Sequence, residues 1–81
     1  MILEEFARLS LAVQSQYISE KGQFLLCRKG FRYTCNLFAV ESFYTEVWYN
    51  MENDSIVDII PFNDPQRLDT FLDDLPLEGL L

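Results

Sequence analysis

The hydrophobic residues of this chain change their spacing twice along its 81 residues. Up to Lys21 they follow the spacing of a helix, after Gly22 they alternate with a period of two, and after Asp64 the helical spacing returns. A chain that reads helix, strands, helix can bury its apolar side chains only by packing helices against a sheet. The pattern therefore predicts an α+β fold in one domain that spans residues 1–81.

The N-terminal helical segment is predicted over residues 2–21, with a break between Leu9 and Ser10. Ser10 has the side chain of a helix N-cap, so a second helix is expected to begin directly after it. Lys21 and Gly22 form a basic last turn followed by a glycine, which is a common way for a helix to end.

The C-terminal helix is predicted from the order Asp64-Pro65, an N-cap followed by the residue type favoured at the first helical position. Its apolar stripe consists of Leu68, Phe71, Leu72 and Leu75. Pro76 is expected to stop the helix, and the apolar tail at residues 77–81 is expected to fold back onto the domain. We expect this helix to pack on one face of the sheet, together with the N-terminal helices in two layers.

Four strands are predicted between the helical segments, at residues 23–27, 31–40, 42–50 and 55–62. The connections are too short for parallel crossovers, which favours an antiparallel meander. A three-residue loop with Gly30 in left-handed conformation would place Cys27 on the same sheet face as Tyr33 and Cys35. Cys35 would then lie about 13 Å from the partner of Cys27, too far for a disulfide.

The second strand pair is rich in aromatic side chains, and Asn53 or Asp54 in its polar loop can adopt left-handed geometry. One face is predicted to carry Phe43, Val47, Tyr49, Ile56, Ile60 and Phe62. The other face is predicted to carry Tyr44, Trp48, Val57 and Ile59. If the helices cover one face only, the second is an exposed aromatic patch of the kind that binds other proteins. The alternative is that both faces are covered.

Catalytic and cofactor chemistry has little support in this sequence. It contains no histidine, and its three glycines are isolated from one another, so neither histidine-assisted nucleophiles nor a phosphate-binding loop is expected. The acidic residues lack the spacing of a calcium loop. Glu46 and Asp58 are predicted to point to opposite sheet faces, which argues against a catalytic carboxylate pair. We therefore predict no enzymatic activity, no metal and no cofactor.

Charge is distributed unevenly, since residues 1–40 have a net charge of +2 and residues 41–81 have −9. The total of −7 argues against nucleic-acid binding, including at the basic hairpin tip around Phe31. No apolar run approaches the roughly 20 residues that cross a membrane. Glu4 and Glu5 stand where a signal peptide would be basic, so a cytoplasmic location is expected.

These observations favour a non-enzymatic module that binds a protein partner or forms a homodimer. Its candidate contact residues are Tyr44, Trp48, Val57 and Ile59, with Tyr44 and Trp48 as anchors because interface hot spots favour these types. One alternative is an immunity- or inhibitor-type protein that binds a basic partner through its acidic half. Another is a small-ligand domain with a pocket lined by Tyr33, Tyr44 and Glu46.

Overall fold

The computed structural model describes residues 1–73 of the chain. In chain order the elements are α1 (Leu3–Ala7), α2 (Leu11–Lys21), β1 (Gln23–Lys29), β2 (Tyr33–Val40), β3 (Phe43–Asn50), β4 (Ile56–Phe62) and α3 (Pro65–Asp73). The strands form one antiparallel sheet in the order β1-β2-β3-β4. The predicted α+β fold with a four-stranded antiparallel meander is therefore confirmed. Within these residues no helix is long and apolar enough to cross a membrane.

The helix boundaries follow from local chemistry that the sequence already showed. Ser10 caps α2, since its hydroxyl accepts a hydrogen bond of 3.3 Å from the Val13 amide. Gly22 is the C-cap of α2, and glycine fits this position because a Cβ there would lie 2.6 Å from the carbonyl oxygen of Ile18. The Asp64 carboxylate accepts a hydrogen bond of 2.9 Å from the Gln66 amide at the start of α3. The break between α1 and α2 and both predicted caps are thus confirmed.

The two faces of the sheet carry separate cores. The face covered by α1 and α2, here called the helix-pair face, has a core of Phe6, Ile18, Val40, Phe43, Val47 and Ile59. The opposite face, here called the α3 face, has a core of Cys35, Leu37, Phe62 and Phe71. Helix α3 does pack on one sheet face, as predicted, but not on the face that α1 and α2 occupy. The expected two-layer arrangement is therefore wrong, and the sheet lies between helices on both sides.

The register of the first hairpin differs from the prediction by an odd number of residues. Cys27 pairs with Asn36 and Arg28 pairs with Cys35, which puts Cys27 and Cys35 on opposite faces. Gly30 has no positive φ, and its amide instead donates a hydrogen bond of 2.8 Å to the Tyr33 carbonyl. An odd shift of register moves every side chain to the other face, so the predicted facing of Cys27 is wrong. Both cysteines are free thiols.

The register of the second hairpin changes part-way along β4. Tyr49 pairs with Ile56, but Trp48 pairs with Asp58, which leaves Val57 as an extra residue in a β-bulge. Beyond this bulge the side chains exchange faces, so Ile59 lies on the helix-pair face. The prediction that Ile59 accompanies Trp48 is therefore wrong.

The same bulge explains further differences on β4. Ile60 and Phe62 now face the same side as Tyr44, opposite to the prediction, because they pair with Glu46 and Tyr44 on β3. Asp58 shares this side as well, so the prediction that Glu46 and Asp58 lie on opposite faces is also wrong. The left-handed residue expected in the β3–β4 loop is confirmed at Asp54, whose φ is 56°. The predictions for the side chain of Leu72, for Leu75 and Pro76 and for residues 77–81 lie outside the described part of the chain.

A candidate binding groove beside helix α3

Helix α3 is held against the sheet by stacked aromatic rings. The ring of Phe71 lies parallel to that of Phe62, with an interplanar angle of 2° and 6.4 Å between their centroids. Tyr44 stacks on the same Phe62 ring at 5.8 Å. On β1, the guanidinium carbon of Arg28 lies 4.6 Å from the Phe71 ring centroid. Tyr44, a predicted anchor, is therefore half-buried in the α3 contact.

A buried carboxylate adds a polar link between α3 and the sheet. Glu46 is only 2% exposed, and one of its oxygens accepts a hydrogen bond of 2.8 Å from the indole N–H of Trp48. Its other oxygen forms an ion pair of 2.5 Å with Nε of Arg67 on α3. The hydrogen bond to Glu46 raises the pKa of Arg67 above its usual value, so the guanidinium stays charged. Glu46 thus connects α3 to β3 and orients the Trp48 ring.

The pairing of Glu46 with Arg67 was not predicted, although the sequence carries a signal for it. Arg67 is the single basic residue among residues 41–81, and Glu46 stands in the middle of an aromatic strand. A carboxylate in such a strand needs a cationic partner when it is buried, because an unpaired charge in the core is strongly destabilising. The shortage of basic residues in this half identifies Arg67 as the candidate partner.

The two thiols differ in their surroundings. Cys35 is fully buried on the α3 face, and this burial raises the pKa of its thiol to about 12, with a further contribution from the negative charge of Glu46. A thiol with so high a pKa is protonated at neutral pH and is a poor nucleophile. Cys27 is exposed on the other face.

Beyond α3, the same sheet face forms a groove of about 230 Å³ lined by Tyr33, Trp48, Val57, Asp58 and Ile60. Tyr33 is 44% exposed and Val57 is 45% exposed. Asp58 lies directly opposite Trp48 across the β3–β4 pair, and its carboxylate accepts a hydrogen bond of 2.9 Å from the Ile59 amide. Aromatic and aliphatic side chains therefore form most of the groove, and a fixed carboxylate stands at one wall.

The four predicted contact residues end in three different environments. Trp48 and Val57 line the groove, Tyr44 packs beneath α3, and Ile59 is buried in the core of the helix-pair face. The groove residues Asp58 and Ile60 were missed because the alternation along β4 gives no sign of a bulge at Val57. Tyr33 was proposed only for a small-ligand pocket.

Two further concavities lie near the hairpin ends. The first, of about 510 Å³, is lined by Phe31, Arg32, Tyr33, Asn50, Met51 and Glu52. The second, of about 460 Å³, is lined by Cys27, Lys29, Thr34, Asn36, Tyr49, Asn50, Met51 and Asp54. Tyr33 lines both the first concavity and the groove. Within residues 1–73, no three side chains of the metal-binding types come together as a candidate metal site.

Comparison with known proteins gives no match for this chain, whether among family models, curated proteins or solved structures.

Proposed function

We propose that this chain is a non-enzymatic protein-binding module, and that the groove beside α3 is its contact surface. The observation that carries the proposal is the position of Trp48, which is half-buried and hydrogen-bonded to Glu46 yet lines an open groove. A ring that is already fixed loses little conformational freedom when a partner binds it. Trp and Tyr are also the side chains most often found at interface hot spots.

The size of the groove favours a protein partner over a small-molecule ligand. Its volume of about 230 Å³ is below the range of about 300–1,000 Å³ that is typical of small-molecule sites. A space of this size suits one or two side chains of a partner. The surface can also extend towards the hairpin end, where Phe31 is 95% exposed and Met51 is 45% exposed.

The test is capture of partners from a native lysate, followed by mass spectrometry, with variants that spare the core. Val57→Ala removes apolar surface from the groove at a residue that is 45% exposed, and Val13→Ala on α2 is its matched control at 47%. We expect the wild type and Val13→Ala to capture a partner that Val57→Ala and Tyr33→Ala do not capture. The melting temperatures of the three variants should equal that of the wild type. Equal capture by all four proteins would contradict the proposal.

Self-association through the same groove is a second candidate, because exposed Phe31, Tyr33, Met51 and Val57 all lie towards one end of the sheet. Sedimentation velocity over a range of concentrations distinguishes this candidate. A dimer that Val57→Ala weakens, and that Val13→Ala leaves intact, supports it. A protein that remains monomeric at high concentration excludes it.

The immunity- or inhibitor-type alternative stays a prediction that rests on the charge of −9 over residues 41–81. In the described part of that half, Asp64 lies just before α3 and Asp69 lies within α3, and both are exposed. Binding through these carboxylates should be lost at high salt, because exposed charges are screened. A partner that is lost with Asp69→Asn and kept with Val57→Ala would favour this function over the groove.

A further inference from the structure

We propose that the groove beside α3 binds a lysine or arginine side chain of the protein partner, an inference that rests on the proposed function and specifies the chemistry of its ligand. The groove combines two aromatic rings, from Tyr33 and Trp48, with the carboxylate of Asp58. Aromatic faces attract cations through their quadrupole, and a nearby carboxylate adds a direct charge interaction.

The sheet register places these three groups within reach of one cationic head. Trp48 and Asp58 face each other directly on β3 and β4, a relation in which Cβ atoms are about 5 Å apart. Tyr33 lies two residues before Cys35, the partner of Trp48 on β2, so it is the diagonal neighbour of Trp48 at about 7–8 Å. The three side chains thus form a row across adjacent strands.

The hydrogen bonding of Trp48 also favours a cation over an anion. Its indole N–H already donates to Glu46, so a ligand in the groove meets the ring and not a free donor. The negative charge of Glu46 is balanced by Arg67. Asp58 has no basic group within ion-pairing distance among residues 1–73, which leaves its charge available to a ligand.

The α3 face already shows this mode of recognition within the chain itself. The guanidinium of Arg28 lies over the Phe71 ring at 4.6 Å, and that of Arg67 lies over the Phe62 ring at 5.5 Å. A lysine or arginine side chain from a partner would place its cation against an aromatic ring in the same way, in the groove beside Tyr33 and Trp48. Its aliphatic stem would lie against Val57 and Ile60 while its charged head reaches Asp58.

The experiment uses the full chain and four capped peptides that share one Gly/Ser sequence and differ at a central residue, which is lysine, arginine, norleucine or glutamate. Trp48 is the only tryptophan, so its fluorescence reports on the groove, and NMR shifts of Val57 and Ile60 locate the binding. We expect the lysine and arginine peptides to bind at least about tenfold more tightly than norleucine, the difference that about 1.4 kcal/mol would produce. The glutamate peptide should not bind.

The variant Asp58→Asn should weaken the lysine and arginine peptides about fivefold and leave norleucine unchanged, with Asp54→Asn in the β3–β4 loop as the control. The proposal is overturned if norleucine binds as tightly as lysine, if no peptide shifts these signals, or if free butylammonium binds more tightly than the lysine peptide. This outcome is separable from that of the proposed function. A captured partner whose binding depends on Val57 but not on Asp58 would support the protein-binding function and contradict the inference that the groove binds a cationic side chain.

Discussion

The two faces of the sheet are closed by different means. On the helix-pair face, α1 and α2 bring apolar side chains onto the sheet, with Phe6 packed 5.2 Å from the Phe43 ring. The side chain of Gln14 binds the Phe6 carbonyl at 2.9 Å, so a buried amide joins the two helices. On the α3 face, a buried ion pair between Glu46 and Arg67 accompanies the stacked rings. One face depends mainly on packing, and the other depends on packing and on charge.

The position of α3 on the sheet accounts for the groove on its face. Arg67 lies over Phe62 of β4 and Phe71 lies beside Arg28 of β1, so α3 runs across the strands and covers one end of them. The remaining end is where Tyr33, Trp48 and Val57 are accessible.

The largest decrease in stability is expected from core substitutions, which test whether both faces unfold as one cooperative unit. Phe6→Ala and Phe71→Ala each remove a ring that is at most 2% exposed. Each should lower the free energy of unfolding by about 3–5 kcal/mol, from lost burial and the cavity left behind. Urea denaturation followed by circular dichroism measures it. If Phe71→Ala leaves the transition unchanged, α3 is not part of the core, and the two faces are not energetically equivalent.

A smaller effect is expected from the ion pair that distinguishes the α3 face. Arg67→Met keeps the aliphatic stem and leaves Glu46 buried without its cation, which should cost about 2–3 kcal/mol because the Arg67 side chain is partly exposed. The double variant Glu46→Gln with Arg67→Met should recover part of this loss. Thermal unfolding of the wild type, of the single variants Arg67→Met and Glu46→Gln, and of the double variant measures the coupling. An equal stability of Arg67→Met and wild type would show that the pair contributes nothing.

The smallest effect concerns the pH dependence of the α3 face. The Cys35 thiol has a pKa of about 12 in the folded protein and an ordinary value of 9.0. Because the folded state holds this proton more tightly, its stabilising effect is complete below pH 9 and is lost as the pH rises towards 12. By pH 10 the loss should be about 1 kcal/mol.

The matched comparison for this pH effect is Cys35→Ala, which removes the buried thiol and leaves every other titrating group in place. Urea denaturation at pH 8 and pH 10 should show a smaller decline for the variant than for the wild type. Thiol labelling provides a second measurement, in which Cys27 reacts in the folded protein and Cys35 reacts only after unfolding. Parallel declines in both proteins, or rapid labelling of Cys35 in the folded state, would contradict the prediction.

The sequence by itself determined the type and order of the described elements. Ser10, Gly22 and Asp64 act on backbone groups within a few residues of themselves, so their effects as caps and stops are visible in the chain without knowledge of its packing. The alternation of the strands and the short links between them were sufficient for an antiparallel meander. The burial of Phe71 followed from the helical spacing of its neighbours.

Only the tertiary structure decided which side chains share a face. A single extra residue at Val57 reverses the facing of the rest of β4, and this moved Ile59 into the core and brought Ile60 and Asp58 beside Trp48. The choice of face for α3 was equally hidden, because both faces of β2 and β3 offer apolar side chains. Local sequence sets the conformation of a segment, but the partner of each face is settled by contacts between residues far apart in the chain.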